Sequence, residues 1–434
     1  MRRFFRCLFL LIPVTSVVLQ SCSDQSSTVT PNLAEYRGQV NEDKISKSLT
    51  QGVPQTSTPS GTLTIWTPDY KGLNEVVQDK INSTITDLIA RFENRYNLVD
   101  VIWKKYPDTY IYKLYSDRIN DGLGPDLFLA HNFMIPELSR NNEISSIPRQ
   151  HIKFKSLRSR LENSYTINGQ AYAVPFLINI QLLCYNRLKV KDPPSTFSAL
   201  ADLSQSGVST AIGGTFLDQM WGLSGFGASI FGTNISDRSK LAHGLKGWIK
   251  TLYQLDQQPN FALFKNSTAM NKYFMQGQLS IITCSSIDLP LLREKLGDET
   301  LGVSTLPSIN GVAAHSRLTG ASFVTNPYMN QNQRDIAYRF INFSISTDQQ
   351  QQIAIDWGSL LPVNKNAEFN HKLLPIYAVS KQAYSHSFQL NSSEINALSA
   401  NFNAIQDLFD DATSGLIDPD NASQQIVALL EVSQ

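Results

Sequence analysis

Apolar and polar positions sort the chain from residue 61 onward into alternating strands and helices. In "GTLTIWTPDY", Leu63, Ile65 and Trp66 predict a short strand bounded by Gly61 and Pro68. Ile85, Leu88, Ile89 and Phe92 then recur at helical spacing, predicting a helix over residues 81–96, and "VDVIWKKY" reads as a second strand. Strand, helix and strand at this spacing form a βαβ unit, which predicts a parallel sheet covered on both faces. A further helix through "YIYKLYSDRIND" breaks at Gly122 and Gly124. It leads into an apolar strand at residues 127–129 that ends on Ala130, His131 and Asn132. Ligands of open α/β sheets sit off the carboxyl ends of strands, so the tips after Trp66 and at His131 are the first places to look.

Further along, Asn168-Gly169 is a hairpin signal between short alternating runs. "LINIQLLCYN" is long, apolar and strand-like, and in "DPPSTFSAL" Ser195 or Thr196 caps a new helix after Pro194. "MNKYFMQGQLSIITCSS" reads as a helix, a stop at Gly277, a strand, and a polar tip at Ser285 and Ser286. Residues 334–358 hold two helices, the second opened by Ser346 with Gln349 three places on, a capping-box pattern. The tail from Ser392 is helical and amphipathic, and no internal repeat is present.

The start of the chain follows other rules. Residues 8–19 are apolar but fall short of the roughly 20 residues a bilayer-spanning helix needs, and Arg2, Arg3 and Arg6 precede them, the layout of a secretory signal peptide. Small Ser21 before Cys22, with Leu19 two places earlier, resembles the bacterial lipobox, so residues 1–21 are expected to be removed and Cys22 to be acylated. Residues 22–60 are rich in Ser, Thr, Gln, Asn and Pro, and have too little apolar surface to offset the entropy of ordering. As a flexible coil this stretch would span on the order of 35 Å, a tether holding a globular body near a membrane. More than one acyl chain makes such mooring stable.

Charge adds an exclusion. The 434 residues carry 37 basic and 37 acidic side chains, and loss of the leader removes three arginines and no acid. The slightly acidic balance that remains offers no basic field for nucleic acid. With 42% hydrophobic and 10% aromatic residues, the body can bury a large core and is long enough for two domains or lobes. Cys184 and Cys284 each lie inside an apolar strand-like run. An exported location permits a bridge between them, while two buried free thiols are the simpler reading. No cysteine or histidine cluster has metal-binding spacing.

Five segments in this order, "LTIWTPDYKGLNEV", "GPDLFLAHN", "NGQAYAVPFLINIQLLCYN", "DPPSTFSAL" and "MQGQLSIITCSS" with its downstream "FINFSISTDQQQQ" and "GSLLPVN", resemble the bacterial extracellular solute-binding proteins of the maltose-binding type, the receptors of ABC importers. The resemblance covers most of residues 61–434. It implies an α/β, two-lobed periplasmic-binding-protein fold of type II, with the ligand in a cleft between lobes joined by crossover segments. Carried over by position, lobe one would be residues 61–178 plus 305–356, and lobe two residues 179–304 plus 357–434.

The same resemblance suggests binding residues, since sugar receptors stack aromatic faces on a pyranose while polar side chains meet its hydroxyls. Trp66, Asp69 and Tyr70 match the first binding loop, and His131 and Asn132 the second, where Leu129 stands in place of a common tryptophan. In lobe two, Phe216, Asp218 and Trp221 match a segment supplying a stacking aromatic. Ser285, Ser286 and Asp288 follow a strand where an aromatic is common, and Ile287 fills that slot. Gly320 and Ser322 match a glycine-rich strand start lining the cleft, and Trp357 is placed to close over the ligand. Trp66 and Trp221 also read as plain core aromatics.

The expected function is capture of a small hydrophilic solute, a sugar or oligosaccharide, by cleft closure, and delivery to ABC transporter permease subunits. The protein is expected to be exported, lipid-anchored with its body facing the periplasm or cell exterior, monomeric, and without catalytic residues, metal or cofactor. A ferric-ion or polyamine receptor of the same fold is the alternative, and an exported glycoside hydrolase a more distant one. No carboxylate pair or GxSxG elbow singles out the last.

Overall fold

The computed structural model describes residues 59–69, 75–228, 238–370 and 375–431. The signal peptide, Cys22 and nearly all of the proposed tether lie outside them.

Eleven strands are formed among the described residues, β1 (Gly61–Asp69), β2 (Val99–Pro107), β3 (Leu127–His131), β4 (Thr166–Ile167), β5 (Gln170–Ala171), β6 (Val174–Asn186), β7 (Thr210–Gly213), β8 (Phe261–Phe264), β9 (Ile281–Ser285), β10 (Leu301–Ser304) and β11 (Leu318–Thr325). Nine of them join in the order β2-β1-β3-β11-β6-β9-β7-β8, with β10 beside β6, while β4 and β5 make the small hairpin expected at Asn168-Gly169. Both turn residues of that hairpin have positive φ, 50° and 78°, the geometry that gives Asn-Gly its hairpin preference.

The predicted βαβ start is present, with β1 parallel to β2 and the helix Glu75–Arg95 between them. Both faces of this sheet are covered, and side-chain alternation shows by what. Phe128 stacks on Tyr115 of the helix Asp108–Asn120 at 4.5 Å. Its neighbour Leu129 points the other way and pairs with Phe323, whose ring meets Phe340 of the helix Gln331–Ser344 at 5.7 Å.

The strand that organises the molecule is β6. Through Ile180 it pairs with β11, and from Gln181 onward with β9 and β10. One continuous strand therefore belongs to two sheets, one in each lobe. Beyond the switch its residues divide by alternation: Leu182 and Cys184 join the apolar core shared with lobe one, and Leu183 and Tyr185 join a second core. That second core lies under the helices Phe197–Gln205, Arg238–Asp256, Phe402–Thr413 and Pro419–Glu431, with Trp221 and Trp248 edge to face at 5.2 Å.

Cys184 and Cys284 form a disulfide between β6 and β9, closing 100 residues of chain. The simpler expectation of two free thiols is thus corrected. Register explains the bridge: Cys184 faces Ile282 and Leu182 faces Cys284, which sets the two cysteines diagonally on one face with Cα atoms 5.8 Å apart.

Local expectations fare unevenly. Thr196 caps its helix by accepting from the Ala199 N–H at 3.1 Å. Ser346 occupies an N-cap position without a side-chain cap, and the reciprocal half of the box is absent too: the Gln349 amide oxygen accepts from Arg91 Nε at 2.6 Å while the Ser346 N–H donates to Phe343 O. Capping boxes occur instead at Asn330 with Gln333 and at Asn391 with Glu394.

Two crossover positions also differ from those expected. Leu306, Ile309 and Ala314 are buried in the second core, so the chain stays with lobe two until Arg317. At the other end, Lys365 N–H donates to Ser156 O, Arg158 N–H to Val363 O and Asn364 Nδ2 to Ile345 O. The segment after Trp357 is therefore bound to lobe one, and side chains reach the second core from Phe388 onward.

Candidate functional site

Three stretches that pass between the lobes lie side by side. Leu318 pairs with Ile180 of β6, Gln181 N–H donates to Arg317 O, Leu318 N–H donates to Phe388 O, and Phe388 N–H donates to Ser316 O. Apolar residues fill one face of β6 here, while Leu177, Asn179 and Gln181 on the alternate face are only half-buried. Polar groups from both lobes meet on this face.

Asn179 is the centre of the gathering. Its Oδ1 accepts from Ser285 Oγ at 2.5 Å, Ser286 Oγ at 3.1 Å and Ile287 N–H at 3.1 Å, and its Nδ2 donates to Thr319 Oγ1 at 3.2 Å. One amide thus joins the tip of β9 in lobe two to the start of β11 leading into lobe one. Gln181 Nε2 donates to the Asp218 carbonyl at 2.9 Å, and its Oε1 is buried without a partner. Asp218 also holds Arg317 at 2.9 Å and accepts from Thr215 Oγ1 at 2.7 Å. Both members of this ion pair keep about a quarter of their side-chain surface exposed, so polar groups remain open to a ligand.

The lobe-one side is built from the end of β3. Ala321 of β11 pairs with His131, and Gly320 pairs with Ile178 of β6, placing His131 roughly 10 Å, two strand spacings, from the Asn179 strand. Burial lowers the His131 imidazole below its usual range, against the opposing pull of Asp108 and a hydrogen bond to the Gly320 backbone. The ring is therefore a neutral hydrogen-bonding group at neutral pH. Its face stacks on Phe133 at 5.3 Å, and Phe133 is 56% exposed. Asn132 is buried and accepts from Ser322 Oγ at 2.7 Å, fixing the loop to β11.

Among the residues picked from sequence, the structure brings Asp218, Ser285, Ser286 and Gly320 together at the crossovers, with His131, Asn132 and Ser322 along the adjoining strand. Asp69 ends β1 half-buried. Asp288 follows the β9 tip, where burial pushes its carboxyl up to about 6 despite hydrogen bonds from Asn271 and the Ser285 backbone. Tyr70 lies outside the described residues.

The aromatic assignments are corrected. Phe216 is buried against Phe409 at 5.6 Å, and Trp221 is buried beside Trp248, both in the second core. Trp66 is 6% exposed and tilted on Tyr106 at 4.6 Å, so the half-buried Tyr106 is the accessible ring of that pair. Trp357 is 2% exposed and donates its indole N–H to Thr84 Oγ1 at 2.8 Å, which ties it to the helix Glu75–Arg95 rather than to any ligand.

Sequence reasoning missed Asn179, Gln181, Thr319, Arg317 and Phe133. For the first two a signal existed: two amides, two residues apart, interrupt the apolar run "LINIQLL" on one face. Arg317 and Thr319 gain their place only through pairing with distant strands, and Phe133 is placed by the turn that follows β3, where it stacks on His131.

Two lobes joined by three adjacent crossovers, each with a sheet of its own that shares β6 and with a polar network at the junction, define the architecture. The model of the bacterial extracellular solute-binding protein family matches residues 87–373, and the chain belongs to that family. A maltooligosaccharide ABC transporter solute-binding lipoprotein of Streptococcus pneumoniae is 25% identical over 289 residues, 61% of this chain and 66% of the relative. The maltodextrin-binding protein MdxE of Bacillus subtilis is 24% identical over 281 residues, 59% of this chain and 66% of that protein. The chain therefore spans 66% of the length of these curated relatives. The fold is shared with the maltose-binding periplasmic protein MalE of Listeria monocytogenes, solved with maltose (TM-score 0.70, 19% identity, covering 87% of this chain and 98% of that one). It is also shared with the GacH receptor of Streptomyces glaucescens, solved unliganded and with acarbose (TM-score 0.68, 17% identity, 86% and 100%).

Proposed function

We propose that this protein captures a neutral sugar or oligosaccharide between its lobes and delivers it to an ABC importer. The observation that carries the reading is the junction network, in which the amides Asn179 and Gln181 stand at the point where lobe one becomes lobe two. Neutral amides and hydroxyls match sugar hydroxyls. The exposed ring of Phe133 supplies a face for a pyranose. The named relatives, which bind maltooligosaccharide or maltodextrin, support the same ligand class.

A ligand that touches both lobes binds the closed form better and shifts the population toward it by that difference in affinity. The permease reads the closed form. A micromolar receptor needs about −8 kcal/mol, within reach of one stacked ring and a saturated polar shell. Acyl groups on Cys22 keep the receptor at the membrane. No step breaks a bond in the ligand, so the reading requires no catalytic group.

Calorimetry over a panel of neutral mono- and oligosaccharides tests this. At least one member is expected to bind with a Kd near the micromolar range, and Asn179→Leu to weaken it by about 100-fold. Small-angle scattering should show compaction only with the bound sugar. Heat from no member of the panel, or cleavage of the sugar that binds, overturns the proposal.

A further inference from the structure

A second cavity lies away from the crossovers, between the helices Phe197–Gln205 and Arg238–Asp256 and the turn at residues 308–311. Its volume is about 480 Å³, inside the range of small-molecule sites. The Trp221–Trp248 pair stands between it and Asp218: Phe226 on its wall is 6.0 Å from Trp248, whose indole N–H donates to Gln219 O on the far side. The crossover site and this cavity are therefore separate.

Its walls specify a ligand chemistry. Among the described residues no ionisable side chain lines it, so neither an anion nor a cation has a counter-charge from them. Half-buried Phe226, with Leu255 and Ile309, forms an apolar surface, while amides and hydroxyls make up much of the rest. Three of the donors among those groups are committed to backbone carbonyls. Thr251 Oγ donates to Gly247 O at 2.8 Å, Ser308 Oγ to Ser195 O at 3.0 Å, and Asn310 Nδ2 to Gly225 O at 3.0 Å. Lone pairs remain on each of these hydroxyls, and the side-chain amides of Gln254 and Gln258 can both donate and accept. Amides and hydroxyls with hydrogen-bonding capacity to spare beside an aromatic ring call for a ligand rich in hydroxyls with an apolar face.

The wall is also preformed. Ile309 and Val312 exchange backbone hydrogen bonds at 2.9 Å in each direction, and Asn310 and Gly311 have φ of 51° and 77°. Such a two-residue turn holds Ser308 and Asn310 in place before any ligand arrives.

We propose that this cavity of lobe two is a second, independent site for a neutral saccharide ring, lying outside the crossover site.

Hydrogen exchange of the full mature chain, measured with maltose, cellobiose, sucrose and galactose as separate millimolar probes, tests it. At least one probe is expected to slow exchange in residues 305–312 and 249–258. Phe226→Ala should weaken that protection at least about tenfold, a loss of 1.4 kcal/mol or more. Gln254→Leu, at an exposed helix position whose change leaves the fold intact, should weaken it as well. Asn179→Leu should leave it unchanged, because that residue belongs to the other site. Absence of protection at 305–312 with all four probes overturns the inference, as does protection that vanishes in Asn179→Leu. If the crossovers bind sugar while 305–312 stays unprotected, this inference fails alone. Protection of 305–312 by a sugar that does not engage the crossovers upholds it and counts against the importer reading.

Discussion

Gly320 and Leu177 lie so close that a Cβ on the glycine would overlap the Leu177 carbonyl oxygen. The contact sits where β11 meets β6 beside the crossovers, and Gly320 adopts φ of 156° next to a register shift between Ala321 and Ser322. Gly320→Ala must push the strands apart, because the obstacle is backbone and cannot turn away. The expected cost is about 3 kcal/mol, seen as a lower urea midpoint, with weaker ligand binding as His131 and Thr319 lose their alignment. A variant as stable as the parent would contradict this close approach.

The Cys184–Cys284 bridge closes a long loop that contains most of the lobe-two sheet. Replacing both cysteines with alanine is expected to lower unfolding free energy by about 2–4 kcal/mol, chiefly by freeing the unfolded chain. Reductant should lower the thermal midpoint of the parent and leave that of the double variant unchanged. Equal sensitivity of the two proteins would mean the thiols are unbridged in solution.

Asp126 is buried at the foot of β3, where it accepts the Thr64 N–H at 2.7 Å. Burial pushes its carboxyl from 3.8 up to about 6, only partly offset by that hydrogen bond. The folded state therefore binds the proton more tightly than the unfolded chain, and this group's contribution to stability falls as pH rises from 3.8 to about 6. Asp126→Asn keeps an acceptor for Thr64 without the charge. It is expected to gain on the parent by on the order of 2 kcal/mol across that window, read from denaturant midpoints at several pH values. A difference that does not change with pH would contradict the buried-carboxylate account.

Trp357 separates structure from binding. Trp357→Phe removes the hydrogen bond to Thr84 and leaves a void in the lobe-one helical layer, for an expected loss of about 1–3 kcal/mol. Affinity for the captured sugar should stay within about twofold, since the ring makes no approach to the crossovers. A large affinity loss at unchanged stability would restore the role the sequence suggested for it.

Much of the fold could be read from local pattern. The periodicity of Ile85, Leu88, Ile89 and Phe92, the stop at Gly277 and the Asn168-Gly169 turn each act over a few residues, and such signals survive without tertiary context. At Ser346 the Gln349 half of the expected capping box is lost to Arg91, 258 residues from Gln349 in sequence. For the same reason the tryptophans misled: an aromatic at a strand end serves core and cleft equally well, and only packing separates Tyr106 from Trp66 or Phe133 from Trp221.

By itself the sequence determined the alternation of strands and helices, the α/β class, the absence of a basic field, and several polar strand tips, because these follow from periodicity, turn chemistry and composition within a short span of chain. Only the tertiary structure decided that β6 serves two sheets, that Asn179 and Gln181 form the polar junction, and that Cys184 meets Cys284. Those facts depend on the register between strands a hundred or more residues apart, and register is set by burying every apolar face at once.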